Sequence, residues 1–193
     1  MTETHASASA MSERVICVDE NDIQVGEAGK MEAHVRGLLH RAFSVFLFDR
    51  RGRLLLQRRA SGKYHAAGLW ANSCCGHPRP GEAVHDAANR RLGEELGVAA
   101  NLKAAFRFRY CVRMENGLIE NELVHMMVGC FSGSFRYDEC EVSDITWRQI
   151  EDVAARIDDL RYELAPWFQI YLSQCLPTLL SWRDRLLDAG SPS

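Results

Sequence analysis

Three stretches of this chain carry residue types whose spacing suits chemistry. In Asn72-Ser73-Cys74-Cys75-Gly76-His77-Pro78, a thiol and an imidazole two residues apart lie in a Gly/Pro loop. Both can point into one pocket, as a nucleophile or as metal ligands; a buried thiol beside a loop histidine is the plainer alternative. In Ile119-Glu120-Asn121-Glu122-Leu123, the two glutamates share one face of a strand, because alternate side chains do. Leu118, Ile119, Leu123 and Val124 predict that this strand is mostly buried, and two buried carboxylates repel unless a metal or cation offsets them. The third stretch is Gly76-x5-Glu82-x7-Arg90-Arg91-Leu92-Gly93-Glu94-Glu95-Leu96-Gly97-Val98. Arg91 and Glu95 are four apart on a helix, as are Arg90 and Glu94. A carboxylate held beside an arginine stays ionised, which suits a Mg²⁺ ligand gripping a diphosphate; taken alone, the pattern also fits a solvated helix with ion pairs. His34 and His40 precede the first core strand. With His77, Glu120 and Glu122 they make three imidazoles and two carboxylates, a set for a borderline divalent metal. There is no second Cys-x-x-Cys or His-x3-His to complete a structural zinc knuckle.

The elements that must position these residues are read from the pattern around them. Val15 to Val18 predicts a short strand ending in a turn, and Ala42 to Phe48 a buried strand. Residues 49–53 form a turn and Leu54 to Gln57 resumes a strand, followed by a long irregular segment over 58–81. Glu82 to Leu96 reads as a helix with an apolar stripe at Val84, Ala88, Leu92 and Leu96, capped by Gly97. Leu102 to Val112 and Leu118 to Phe131 are strands joined through Asn116-Gly117, a hairpin signal. Ile145 to Arg148 is a short strand and Gln149 to Ile157 a short helix. Leu164 to Trp182 carries no formal charge, but Pro166, Pro177 and five polar residues make it a C-terminal helix packed on the domain rather than a membrane span. This order predicts an α+β domain over residues 14–182, between a disordered N-terminal tail (1–13) and a C-terminal tail (183–193).

Composition narrows the function classes. The chain has 193 residues, 47 % of them apolar and 25 % charged, an ordinary mix for a globular protein. With 23 Lys plus Arg against 26 Asp plus Glu, it lacks the basic surplus of a general nucleic-acid binder. Seven cysteines at irregular spacing cannot all pair, and no basic segment followed by an apolar one opens the sequence. The expectation is free thiols in the cytoplasm, with no nucleic-acid or membrane partner.

The third stretch is similar to the Nudix box at every position but one. Arg91 stands where that pattern has a glutamate that helps hold water-activating metals. The reversal speaks against diphosphate hydrolysis and leaves diphosphate binding. Taken with Arg58-Arg59-Ala60, Trp70 to Pro78, Phe108-Arg109-Tyr110, Glu120-Asn121-Glu122 and Ala165-Pro166-Trp167, the chain resembles the type 1 isopentenyl-diphosphate isomerases from about Val15 to Trp167. The resemblance implies a Nudix fold, a layered α/β/α arrangement with a mixed central sheet and flanking helices. It implies that His34, His40, His77, Glu120 and Glu122 hold one divalent metal (Mn²⁺, Zn²⁺ or Mg²⁺), and that Glu95 holds a Mg²⁺ bridging to the substrate diphosphate. It gives Cys75 as the catalytic thiol, Glu122 as the carboxylate facing it, and Tyr110 as a hydroxyl assisting proton transfer. It gives Lys30, Arg59, Lys63 and Arg91 to the diphosphate and Trp167 to the carbon skeleton of a small prenyl diphosphate, in a monomer. The sequence departs from the family over Tyr64 to Leu69, where a Trp or Phe and a Pro commonly precede the Gly. A hydrolase of nucleoside or prenyl diphosphates and a non-catalytic metal-binding domain are the competing classes.

Overall fold

One strand, β3 (His40–Phe48), organises the molecule, and its aromatic, β-branched sequence explains why. In the computed structural model, which describes residues 13–189, all but one of its nine residues are buried. On one edge it pairs in parallel with β8 (Ile119–Cys130), from His40 opposite Glu122 to Phe48 opposite Cys130. Along the other edge three antiparallel partners take turns. β1 (Arg14–Val18) meets it at His40, β6 (Cys74–Gly76) at residues 43–45, and β4 (Leu54–Arg59) at Phe48. β2 (Gln24–Gly29) extends the sheet beyond β1; β5 (Trp70–Ala71) and β9 (Val142–Arg148) pair with β4; β7 (Lys103–Arg113) forms the hairpin with β8. The sheet is mixed, as expected.

Helices cover both faces because side chains of β3 alternate. Phe43, Val45 and Leu47 pack against Ala87, Ala88, Leu92 and Leu96 of α2 (Val84–Leu96). Ala42, Phe46 and Phe48 face Phe168, Tyr171 and Leu172 of α4 (Pro166–Gln174) and Leu179 of α5 (Leu176–Ala189). Each fully buried leucine in these layers contributes on the order of 1.5–3 kcal/mol of transfer free energy. Two shorter helices complete the described residues, α1 (Lys30–Arg36) and α3 (Ile150–Ala155). None of the helices there is long and apolar enough to cross a membrane.

The differences from the sequence reading have physical causes. The single helix expected over 164–182 is two, broken at Cys175 because Pro177 has no N–H to continue α4. The second runs on to Ala189 and buries Leu186, so residues 183–189 are helical and packed, not a tail. The expected N-terminal tail lies outside the described residues except for Glu13, which pairs with Lys30. The irregular segment holds two short strands, β5 and β6, and residues 24–36 fold into β2 and α1, which their mixed polarity hid. Gly97 does take the left-handed cap (φ +68°), and a Cβ there would meet the Arg136 carbonyl oxygen at 2.5 Å.

Candidate active site and metal centre

The pairing of β3 decides which side chains converge. His40 opens β3 opposite Glu122 on β8, and His77 follows β6 on the other edge. His34 comes from α1, which ends at Gly37 (φ +64°), with Asn121 of β8 donating to the Gly37 carbonyl at 3.0 Å. One ligand atom each of His34, His40, His77 and Glu122 lies within 4.8 Å of the other three. His34 Nδ1 donates to the Lys30 carbonyl (2.7 Å) and His40 Nδ1 to the Leu38 carbonyl (2.8 Å). Those bonds fix the tautomers and turn each Nε2 into the cluster, that of His40 lying 3.2 Å from His77 Nε2. His77 Nε2 donates to Glu122 Oε1 at 2.9 Å. His34 Nε2 and His77 Nδ1 are buried without a hydrogen-bond partner. Burial pushes His77 down to about 3, and Glu122 offsets only part of this, so its ring is neutral. Burial would raise the Glu122 carboxyl, but His40 and His77 hold it well below the usual carboxylate range. Imidazole nitrogens around an ionised carboxylate, with His34 Nε2 and His77 Nδ1 orphaned, are the donor set a divalent metal takes.

Glu120 is not one of those four. Its Oε2 lies 3.0 Å from the Tyr110 hydroxyl, which also reaches Glu122 Oε2 at 2.8 Å, and its Oε1 lies 2.8 Å from His65 Nε2. No role for His65 is legible in the sequence, because its partner lies far along the chain. Burial, reinforced by both glutamates, raises Tyr110 well above the ordinary phenol value, so it stays protonated between them.

Cys75 opens onto the face of β3 that carries Ser44 and His40. Its thiol donates to Asn72 Oδ1 at 3.2 Å and lies 3.4 Å from Ser44 Oγ, which donates to Tyr171 OH at 3.1 Å. Burial pushes this thiol up to about 12 against the opposing hydrogen bonds of Ser44 and Asn72, so it carries its proton at neutral pH. Burial, reinforced by Glu122, raises the Tyr171 phenol well above its ordinary value, so it too stays protonated. Cys74 points the other way, into the α2 core.

Of the basic residues, Arg91 and Lys63 meet beside α2. Arg91 pairs with the buried Glu95, which accepts from Gln57 at 3.1 Å, and with Glu141 at 3.0 Å. Lys63 pairs with the same Glu141, a residue that the sequence motifs did not single out. Gly76 lets this side approach the thiol loop: a Cβ there would lie 2.9 Å from the Phe43 ring and 3.4 Å from Arg91 Cγ. Lys30 pairs with Glu13 at 2.7 Å and sits 5.6 Å from the Tyr64 ring centroid. The Arg59 guanidinium lies 5.1 Å from the Trp167 ring centroid and donates to the His65 carbonyl at 3.2 Å. Trp167 itself is buried, its Nε1 without a partner.

Compared with known proteins, residues 38–168 match the NUDIX domain. Over 176 residues the chain is 48 % identical to the isopentenyl-diphosphate Delta-isomerase of Burkholderia multivorans, covering 91 % of this chain and 100 % of that one. It is 47 % identical over 174 residues to isopentenyl-diphosphate Delta-isomerase 2 of Aromatoleum aromaticum, covering 90 % of each. Among solved structures, the Deinococcus radiodurans protein DR0079 superposes with a TM-score of 0.71 at 20 % identity, covering 84 % of this chain and 99 % of that one, which is likeness of fold.

Proposed function

The chain belongs to the Nudix superfamily and, within it, to the type 1 isopentenyl-diphosphate Delta-isomerases, so its reaction is the interconversion of isopentenyl and dimethylallyl diphosphate; we propose how its residues divide that work. The reaction adds a proton at one carbon of a five-carbon skeleton and removes one from another. The intermediate has the character of a tertiary carbocation, which requires a dry site. The observation that carries the assignment is a protonated Cys75 thiol held by Asn72 and Ser44, and an ionised Glu122 carboxylate held by His77 and Tyr110, on two strands that both pair with β3. A group holding a proton and a group able to accept one are the pair that the chemistry needs. In one direction Cys75 delivers its proton to the alkene and Glu122, assisted by Tyr110, removes the other; in reverse the roles exchange. Trp167 covers the carbon skeleton, and an indole face stabilises positive charge beneath it.

Three imidazoles and Glu122, with Glu120 beside them, would hold one divalent ion, which we assign as Mn²⁺, Zn²⁺ or Mg²⁺. When bound, that ion supplies positive charge that fixes the carboxylates and Tyr110. Glu95 would hold Mg²⁺ together with the diphosphate, while Lys30, Arg59, Lys63 and Arg91 bind the diphosphate oxygens. The diphosphate thereby provides binding energy remote from the reacting carbons. One chain supplies all these residues, which supports a monomer as the working unit. All seven cysteines are unpaired, which supports the reducing cytoplasm.

Purified protein with Mg²⁺ should exchange deuterium from deuterated water into both diphosphates and release no phosphate. Absence of exchange overturns the reading. Cys75→Ala and Glu122→Gln should each abolish exchange while the circular dichroism spectrum is unchanged; turnover near the wild-type rate in either variant removes that residue's role.

A further inference from the structure

His65 touches all three regions of the proposed site at once. Its ring Nε2 lies 2.8 Å from Glu120 Oε1, on the metal side. Its ring centroid lies 5.5 Å from that of Trp167, on the carbon-skeleton side, and 4.2 Å from Tyr64. Its carbonyl accepts from Arg59, on the diphosphate side. The side chain is 11 % exposed and Nδ1 has no partner. A carboxylate can only accept, so Nε2 carries the proton and donates it.

The backbone holds His65 there deliberately. Ala66, the next residue, has φ +48°, a left-handed conformation that costs a residue with a Cβ roughly 1–2 kcal/mol. Gly68 follows at φ +73°, and its N–H donates to the Arg59 carbonyl at 3.0 Å. The turn therefore spends conformational energy to bring His65 inward over Glu120. Among the described residues the polar partners of Glu120 are His65 and Tyr110, and Tyr110 is shared with Glu122. Without His65, one oxygen of a buried carboxylate loses its donor, and the side chain is tethered on one side only.

We propose that His65 is a positioning residue that fixes the Glu120 carboxylate beside the His34, His40, His77 and Glu122 cluster, so that divalent-metal affinity depends on its Nε2–H. This rests on the reading of that cluster as the metal site. Groups that orient ligating carboxylates from behind typically change metal affinity 10- to 100-fold when removed.

The test is metal affinity of the purified, metal-stripped full chain, measured with Mn²⁺ against a competing chelator, without reference to turnover. His65→Phe keeps the ring against Trp167 and Tyr64 and removes the donor; it should bind Mn²⁺ about tenfold or more weakly. His65→Gln places an amide N–H near the same point and should recover most of the affinity. Affinity of H65F within twofold of wild type, tighter binding, or no recovery in H65Q overturns the proposal. His77→Ala is the control. If H77A loses Mn²⁺ and H65F does not, the role of His65 falls and the metal site stands. If neither loses it, the metal site falls as well. Should H65F fail to fold, H65Q against His65→Ala in the same assay carries the comparison.

Discussion

Glu141 ties down two of the cations assigned to the diphosphate. Its carboxylate pairs with both Lys63 and Arg91, and although burial alone would raise it, Lys63 above all holds it below the usual carboxylate range. An incoming diphosphate must compete with this internal anion. Glu141→Gln should therefore lower KM for isopentenyl diphosphate by about three- to tenfold, the equivalent of roughly 1 kcal/mol for a partly buried ion pair, with kcat little changed. A raised KM would show instead that Glu141 helps to hold the substrate. At this scale the sequence was informative wherever chemistry is written locally. Cys75 and His77 share a short loop, Glu122 sits in an apolar strand, and Arg91 and Glu95 share a helical face. Glu141, His65, Ser44 and Asn72 were illegible as site residues, because each meets its partner only through tertiary contact. Glu120 and Glu122 share a strand face and the Tyr110 hydroxyl, but Glu120 meets His65 where Glu122 meets His77.

Among the elements, the turn between β3 and β4 has the clearest energetics. Asp49 Oδ1 accepts the backbone N–H groups of Arg51 and Arg53 at 2.9 Å each, and Oδ2 accepts Arg53 Nε at 2.7 Å. Burial would raise its carboxyl, but these donors outweigh it and depress the pKa. A depressed carboxylate stabilises the fold above its unfolded pKa, near 3.9, and that contribution is lost as pH falls through the folded value. Asp49→Asn should cost about 1–2 kcal/mol in urea unfolding at pH 7, with the gap to wild type shrinking below about pH 4. A gap that is constant from pH 7 to pH 3 would refute the charge argument. The hairpin of β7 and β8, the helix α2 with its Gly97 cap, and strand β3 were all readable, since period and turn chemistry are local. The segments 24–36 and 58–81 were not. Their strands and helix exist because β1, β3 and β4 supply edges for them to pair or pack against, and no periodicity of their own announces it.

The whole molecule closes with α5. Leu186 is buried, and Arg183 pairs with Glu151 of α3 at 2.5 Å. Ending the chain after Trp182 should remove about 2 kcal/mol of packing and lower Tm by roughly 4–8 °C, measured by calorimetry, with deuterium exchange into the substrate retained well below that temperature. An unchanged Tm would mean that the last turns of α5 are decoration. The parallel pairing of β3 with β8 has a consequence in time. It joins segments separated by nearly half of the domain, and such long-range pairing is the slow part of folding. His40 and Glu122 sit opposite each other at one end of that pairing, and His77 needs β6 docked on the other edge. The ion's binding cradle is thus complete only when both edges of β3 are paired. Mn²⁺ should therefore leave the refolding rate in stopped-flow experiments unchanged and slow unfolding in proportion to its occupancy, acting as a latch on the finished chain. Faster refolding with metal present would mean that the four donors meet before the sheet does.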